Sequence, residues 1–237
     1  MRKFSFFAYN EGFKLFGTEH LVVIGLMIVL SIALPIIAKR YLNDKQKLQL
    51  SRAIAVLASF WALAYVVILL FLGDFNYKTD LPLDLCNISA LLLPFLMWNP
   101  RLRIHEVLYF WILAGTIQAI LTPHLYNGFP NFIFIKYWFV HCGLVIYAIY
   151  ATVVFDLKPN LKSIFKSFLA LQTYVFLVYG INYLLGSNYV YVMHKPPTAS
   201  ALDYLGDWPY YILAAELIAF VFFFIVYLPI ALTKKKK

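Results

Sequence analysis

Charged residues and cysteines are scarce in this 237-residue chain, and both shortages narrow the class of protein. Charged side chains make up 13% of the residues, against about 25% in ordinary globular proteins, which excludes a soluble domain and a disordered chain. Only two cysteines are present, Cys86 and Cys142, and both lie in apolar runs, which excludes a disulfide-stapled secreted module. Hydrophobic residues, by contrast, account for 63% of the chain, and the mean hydropathy is +0.77. This composition predicts an all-α, polytopic membrane protein.

Seven apolar stretches approach or exceed the roughly 20 residues that a helix needs to cross the hydrocarbon core. They predict one domain, residues 1–237, built as a bundle of seven transmembrane helices. The predicted spans are His20–Ala38, Arg52–Leu72, Leu81–Met97, Val107–Leu121, Phe132–Val154, Ile164–Leu185 and Trp208–Leu232. Between the last two spans, the polar segment Gly186–Asp207 is long enough to form a lid.

The distribution of lysine and arginine predicts the orientation of the bundle. Fourteen of these residues follow the first, third, fifth and last spans, and five lie on the other side. Because positive residues collect on the cytoplasmic side, we expect the N-terminus outside and Lys234–Lys237 in the cytoplasm. The net charge of +9 is therefore attributed to membrane orientation, and we expect no nucleic-acid partner. We expect a multi-pass protein of the plasma membrane.

Polar residues inside the spans are concentrated in the predicted outer half, which indicates a polar cavity there. Ionisable groups at this depth cost about 2.5–3.5 kcal/mol each on insertion scales and often mark functional sites. Candidate supporting or substrate-binding residues are His20, Asp84, Asn87, Gln118, His124, Lys136, Asn182 and Glu216, with Lys195 in the segment 186–207. Structural roles remain open for several of them, such as an ion pair between Lys136 and Glu216.

Cys86 and His141 form the candidate catalytic pair. A thiol attacks as thiolate, which is favoured by a helix N-terminus and a nearby histidine. Cys86 lies near the start of the third predicted span, and His141 is placed to face it from the fifth.

The motifs Leu81-Pro-Leu-Asp-Leu-Cys-Asn87 and Phe139-Val-His-Cys-Gly143 carry a resemblance to a known family. Gly17-Thr-Glu-His-Leu21, Leu121-Thr-Pro-His124 and Leu205-Gly-Asp-Trp-Pro209 extend it through most of the chain. The chain resembles the YwaF-like integral membrane proteins of bacteria, which are relatives of an animal multispanning cysteine acyltransferase of ether-phospholipid synthesis.

This resemblance implies a phospholipid acyltransferase. Cys86 would be the nucleophile and His141 the base, and a fatty acyl chain would pass from a diacyl phospholipid to a lysophospholipid through a thioester. The expected partners are therefore membrane phospholipids and lysophospholipids, and no cofactor is implied.

Other functions remain open at this point. A transporter or lipid-binding protein would use His141, Glu216 and Lys136 as a polar relay, and is expected to show internal repeats. A membrane lipid hydrolase would use the same cysteine and histidine with water as the acceptor. A metal site is not expected, because no close-spaced ligand pair such as His-Glu-x-x-His is present.

Overall fold

The computed structural model of the chain describes residues 12–98, 100–196 and 200–233. Within these ranges the chain is helical or loop, and the α-helices follow one another along the sequence. They are α1 (Thr18–Tyr41), α2 (Asp44–Leu72), α3 (Leu85–Trp98), α4 (Leu102–Phe110), α5 (Ile117–Leu121), α6 (Phe132–Val154), α7 (Leu161–Leu185) and α8 (Tyr210–Thr233). A π-helical segment, Trp111–Thr116, joins α4 to α5, and short 3-10 turns lie at Tyr189–Tyr191 and Ala201–Leu205.

Six stretches of the described chain are long and apolar enough to cross a membrane, against the seven that hydropathy predicts. The exception is α3, whose 14 residues extend roughly 21 Å at 1.5 Å per residue, short of the roughly 30 Å hydrocarbon core. The prediction began this span at Leu81, but Leu81–Asp84 form a turn in which the Leu83 N–H donates to the Leu81 carbonyl (2.8 Å).

α2 and α7 begin earlier than predicted, because polar capping residues precede their apolar runs. Asn43 and Gln46 form a capping box that starts α2, and Asn160 and Ser163 form one that starts α7. Each box satisfies backbone N–H groups that the first helical turn leaves unpaired. The helices therefore extend beyond the stretches that hydropathy marks.

Contacts between helix ends define two ends of the bundle. At the end that we call upper, where α1, α3, α6 and α8 begin, His20 Nε2 hydrogen-bonds the Ile120 carbonyl at the close of α5 (2.8 Å). At the lower end, where α2, α4 and α7 begin, the Tyr150 hydroxyl of α6 donates to the Lys47 carbonyl (3.0 Å). Lys166 and Ser163 of α7 both donate to the buried Glu106 carboxylate of α4 there.

The core is formed by α6 and the continuous stretch α4–π–α5. In their most apolar windows 50% and 61% of the residues are buried, against 17% for α1 and 11% for α8. The close approach of α2 to α6 depends on small residues, since a Cβ at Gly143 would lie 3.3 Å from the Ala58 Cβ. The peripheral helices keep apolar side chains on their outer faces, as expected for helices that face lipid.

Candidate functional site

Cys86 is the second residue of α3 and packs against the π segment. Its Sγ lies 3.5 Å from the Thr116 Oγ1, and Thr116 is 1% exposed. Within the described residues this hydroxyl has no other hydrogen-bond partner, so its proton is available to the sulfur. A hydrogen bond to sulfur together with the positive end of a helix stabilises a thiolate.

The π segment sets the position of Thr116. Widening of the helix over Trp111–Thr116 changes which side chains face α3, and such segments occur often at functional sites. The indole of Trp111 anchors this stretch to α7 by donating to the Ser167 carbonyl (3.1 Å). Thr116 is therefore held at the thiol by a local departure from regular helix geometry.

His141 lies half-buried on α6, and its hydrogen bond fixes its tautomer. Nδ1 lies 2.7 Å from the Tyr137 carbonyl, and because a carbonyl only accepts, Nδ1 carries the proton. The ring stacks on that of Tyr137 with centroids 4.0 Å apart. Nε2 is thus the unprotonated nitrogen, as a general base requires.

No hydrogen bond joins Cys86 to His141 within the described chain, where the thiol has Thr116 as its partner. Such bonds are often long or absent before substrate binds. α3 and α6 pack against each other, so the two residues lie on neighbouring helices. The geometry provides a positioned thiol and a neutral imidazole without a formed dyad.

The predicted supporting residues nearest the thiol are Asp84, Asn87 and Lys136. Asn87 is buried, and its side-chain amide donates to the Asp84 carboxylate (3.2 Å). The Lys136 ammonium lies 4.9 Å from the centre of the Tyr65 ring and interacts electrostatically with Asp84 and Cys86. Opposite charges therefore flank the start of α3.

Two cavities open at the upper end above this region. The larger, about 1010 Å³, is bordered by Gln118 and His124 together with Tyr191 and Asp203. The smaller, about 400 Å³, lies beside Asp84 and is bordered by Lys78, Asn188 and His194. Cys86 lines neither cavity, but Asp84, two residues before it, lines the smaller one.

The predicted lid segment is fastened over this end, as far as its described residues 186–196 and 200–207 show. Asn182, fully buried at the end of α7, accepts from the Tyr189 N–H (2.8 Å) and donates to the Tyr189 carbonyl (2.9 Å). The Tyr189 hydroxyl in turn accepts from the Leu81 N–H (2.9 Å). Lys195 lies over the ring of Tyr211 at 5.7 Å. Asn182 therefore anchors the segment, with its amide engaged by the loop.

His20 is fully buried, and both of its ring nitrogens are occupied. The Phe16 N–H donates to Nδ1 (3.0 Å), and Nε2 donates to the Ile120 carbonyl (2.8 Å). The ring also packs 5.3 Å from that of Trp138. His20 therefore fastens α1 to α5 and α6, a role that its position at the start of an apolar run did not indicate.

Replacing His20 with alanine is expected to destabilise the protein, because it unpairs the buried Ile120 carbonyl and the Phe16 N–H and removes ring contacts. We expect a loss of about 2–4 kcal/mol and a fall in Tm of about 5–10 °C. Thermal unfolding of the detergent-solubilised protein measures this, with His124→Ala on an exposed ring as the control. An equal Tm for the two variants would contradict the assigned role.

Glu216 has a different partner from the predicted one. It lies on α8, where the Gln172 side-chain amide of α7, oriented with its nitrogen toward the carboxylate, donates to Oε1 (3.0 Å) and Oε2 (3.2 Å). Among the described residues, no hydrogen bond or ion pair joins Glu216 to Lys136 or His141. The three residues proposed as a polar relay are therefore not linked to one another here.

Over the described ranges, no three of the residues His, Cys, Asp and Glu lie close enough together to hold a metal ion.

Sequence reasoning missed Thr116 and the π segment. A lone threonine in an apolar run is usually a packing residue, so no sequence signal distinguished it. Arg2, Lys3 and Lys234–Lys237, which enter the orientation count, lie outside the described residues.

Comparison with known proteins gave one finding. Residues 15–227, most of the chain, match the model of the TMEM164 family. No curated protein and no solved structure matches the chain.

Proposed function

The chain belongs to the TMEM164 family, a family of multispanning membrane proteins, and on that premise we propose that it is a phospholipid acyltransferase. In this proposal Cys86 is the nucleophile and His141 the general base, and the acyl group passes through a thioester. The observation that carries the proposal is the placement of Cys86 at the N-terminus of α3, against Thr116. The unprotonated Nε2 that the Tyr137 hydrogen bond leaves on His141 supports it.

The first half-reaction forms the thioester. On substrate binding the thiol donates to Nε2 of His141 while the Thr116 hydroxyl still donates to the sulfur, and the thiol proton moves to Nε2 as the sulfur attacks the ester carbonyl carbon of a diacyl phospholipid. The bond between this carbon and the ester oxygen breaks, and the leaving lysophospholipid oxygen takes the proton from the imidazolium.

The second half-reaction transfers the acyl group to a lysophospholipid. Its hydroxyl gives a proton to Nε2 and attacks the thioester, the carbon–sulfur bond breaks, and the thiolate recovers the proton. Water in place of this hydroxyl would make the enzyme a lipid hydrolase. The described parts of the fastened segment, residues 186–196 and 200–207, cover the upper end and limit that competition.

The membrane arrangement belongs to the same proposal. The upper end faces outward and the lower end the cytoplasm of a plasma-membrane protein, following the fourteen basic residues against five. α3 serves as a seventh, short crossing, because its C-terminal end extends toward the lower end of the bundle. There Arg52, near the lower end of α2, hydrogen-bonds the Met97 carbonyl (3.2 Å). Cys86 then lies in the outer half of the bilayer.

Intact-protein mass spectrometry tests the acyl transfer. Purified protein is incubated with a labelled diacyl phospholipid, and its mass is measured before and after hydroxylamine. We expect one hydroxylamine-sensitive acyl adduct, which peptide mapping assigns to Cys86 and not Cys142. Absence of both an acyl adduct and lysolipid release would contradict the proposed acyl transfer. Release that continues without a lysolipid acceptor would indicate hydrolysis instead.

Thr116 is expected to act as a positioning residue for the thiol. Thr116→Val removes the hydroxyl but keeps the shape, so the midpoint of the pH profile for alkylation of Cys86 by iodoacetamide should rise by about one pH unit, the value of one hydrogen bond to a charged group. Thr116→Ser is the matched control, with the wild-type profile expected. A lower rate at unchanged pH dependence in Thr116→Val would show that the residue only packs.

A further inference from the structure

The lower end contains a cavity that the Cys86 site does not use. It has a volume of about 510 Å³ and lies between the ends of α1, α6 and α8 and one face of α4–π–α5. Leu113 and Ile117 form one wall, with Ile149 and Val226 on others. The volume falls within the range of roughly 300–1,000 Å³ typical of ligand sites. Most of the wall residues are apolar, and we call this cavity the apolar slot.

Two lysines line this cavity, Lys39 at the end of α1 and Lys158 in the loop after α6. Lys158 hydrogen-bonds the Asp156 carboxylate (2.6 Å). This bond and the charge of Lys158 lower the pKa of Asp156, and the charge of Lys39 lowers it further. Both ammonium groups therefore lie near the Asp156 carboxylate, whose single negative charge neutralises only one of the two positive charges.

The surrounding charge at this end is also positive. Among the described residues, the segments at the lower end carry ten basic residues and three acidic ones, Asp44, Glu106 and Asp156. Thr233 lines the cavity, and the sequence continues from it with four lysines. Each basic residue near the membrane surface is attracted to an anionic leaflet by about 1 kcal/mol.

An apolar slot with a basic mouth suits a molecule that has a hydrocarbon chain and one anionic group. A free phosphate would leave the apolar walls uncovered, and a neutral lipid would gain nothing from Lys39 and Lys158. We propose that this cavity binds one anionic phospholipid from the lower leaflet. An acyl chain fills the slot beside Leu113 and Ile149, and the phosphate lies between the two lysines.

This site is independent of the proposed acyl transfer, because none of its lining residues takes part in the Cys86 chemistry.

Native mass spectrometry tests the lipid site. The full-length protein is reconstituted in vesicles that contain equal amounts of phosphatidylglycerol and phosphatidylcholine, extracted gently and analysed. We expect one retained phosphatidylglycerol per protein, in preference to phosphatidylcholine. Graded retention of several lipids without preference would overturn the proposal.

Paired variants test the mouth of the cavity. Lys39→Gln/Lys158→Gln should lower the phosphatidylglycerol preference about tenfold. Arg40→Gln/Lys162→Gln removes the same charge at the same end from residues that do not line the cavity, and a change below about twofold is expected. An equal loss in both pairs would indicate diffuse surface attraction and overturn the site.

A second pair tests the slot itself. Val153 lines the cavity, and Val153→Trp should displace the retained lipid. Val67→Trp, on an exposed apolar position of α2, should leave it in place. Unchanged retention in Val153→Trp, with wild-type Tm, would overturn the proposal.

Discussion

Loss of acyl transfer by about 10³-fold or more is the expected result of Cys86→Ala. The thioester cannot form without the sulfur, so the adduct and both half-reactions disappear together. Release of radiolabelled lysolipid and formation of acylated acceptor from a fixed diacyl donor measure the effect. Because Cys86 is a small, half-buried side chain, the substitution itself should change the Tm little.

Cys142→Ala is the matched control for this experiment. Cys142 adjoins His141 on α6 but lines an apolar groove of about 420 Å³ shared with α1 and α2. We expect its loss to change the rate by less than about twofold, since an exchange of one small packing residue for another perturbs a core little. Full activity in Cys86→Ala, or inactivity confined to Cys142→Ala, would refute the assigned nucleophile.

His141→Ala is expected to lower the rate by about 10²–10⁴-fold, the usual contribution of a general base. In the proposed mechanism Nε2 takes the thiol proton, and the hydrogen bond of Nδ1 to the Tyr137 carbonyl favours that tautomer of the imidazole. Steady-state rates and the amount of acyl adduct at early times measure the loss. The adduct should form slowly even with excess donor lipid.

His141→Gln separates proton transfer from packing. Glutamine occupies similar space but does not accept a proton near neutral pH. Added imidazole should restore part of the rate in His141→Ala, where the space is empty, and none in His141→Gln. Wild-type rates in His141→Gln would show that the ring only packs on Tyr137.

Hydropathy predicted most of the bundle because long apolar runs have few alternatives in a membrane. It did not predict that α2 and α7 begin with the capping boxes at Asn43 and Asn160, since these residues are polar and lie outside the apolar runs. It also overestimated α3, because Leu81–Asp84 are apolar enough to extend the run yet adopt a turn.

The side-chain partners within the site were harder to predict. Regular helix periodicity gives no sign of the π segment, so the contact of Thr116 with Cys86 was hidden. The sequence left open a pair between Lys136 and Glu216, but each has another partner. Lys136 lies over Tyr65, and Glu216 accepts from Gln172. Such choices depend on how helices rotate against one another, which one sequence does not determine.

The shortness of α3 has a consequence for the surrounding lipid. If its lower end is level with the membrane surface, its upper end stops roughly 9 Å below the opposite one. The connecting backbone is then at the depth of the hydrocarbon core, and tyrosine hydroxyls pair two of its groups: Tyr189 accepts from the Leu81 N–H and Tyr174 donates to the Leu83 carbonyl. The bundle therefore creates a local hydrophobic mismatch, which favours a thinner bilayer above the Cys86 thiol. A bilayer that dips there would carry its ester carbonyls down toward Cys86, so the thickness of the host membrane becomes a determinant of access.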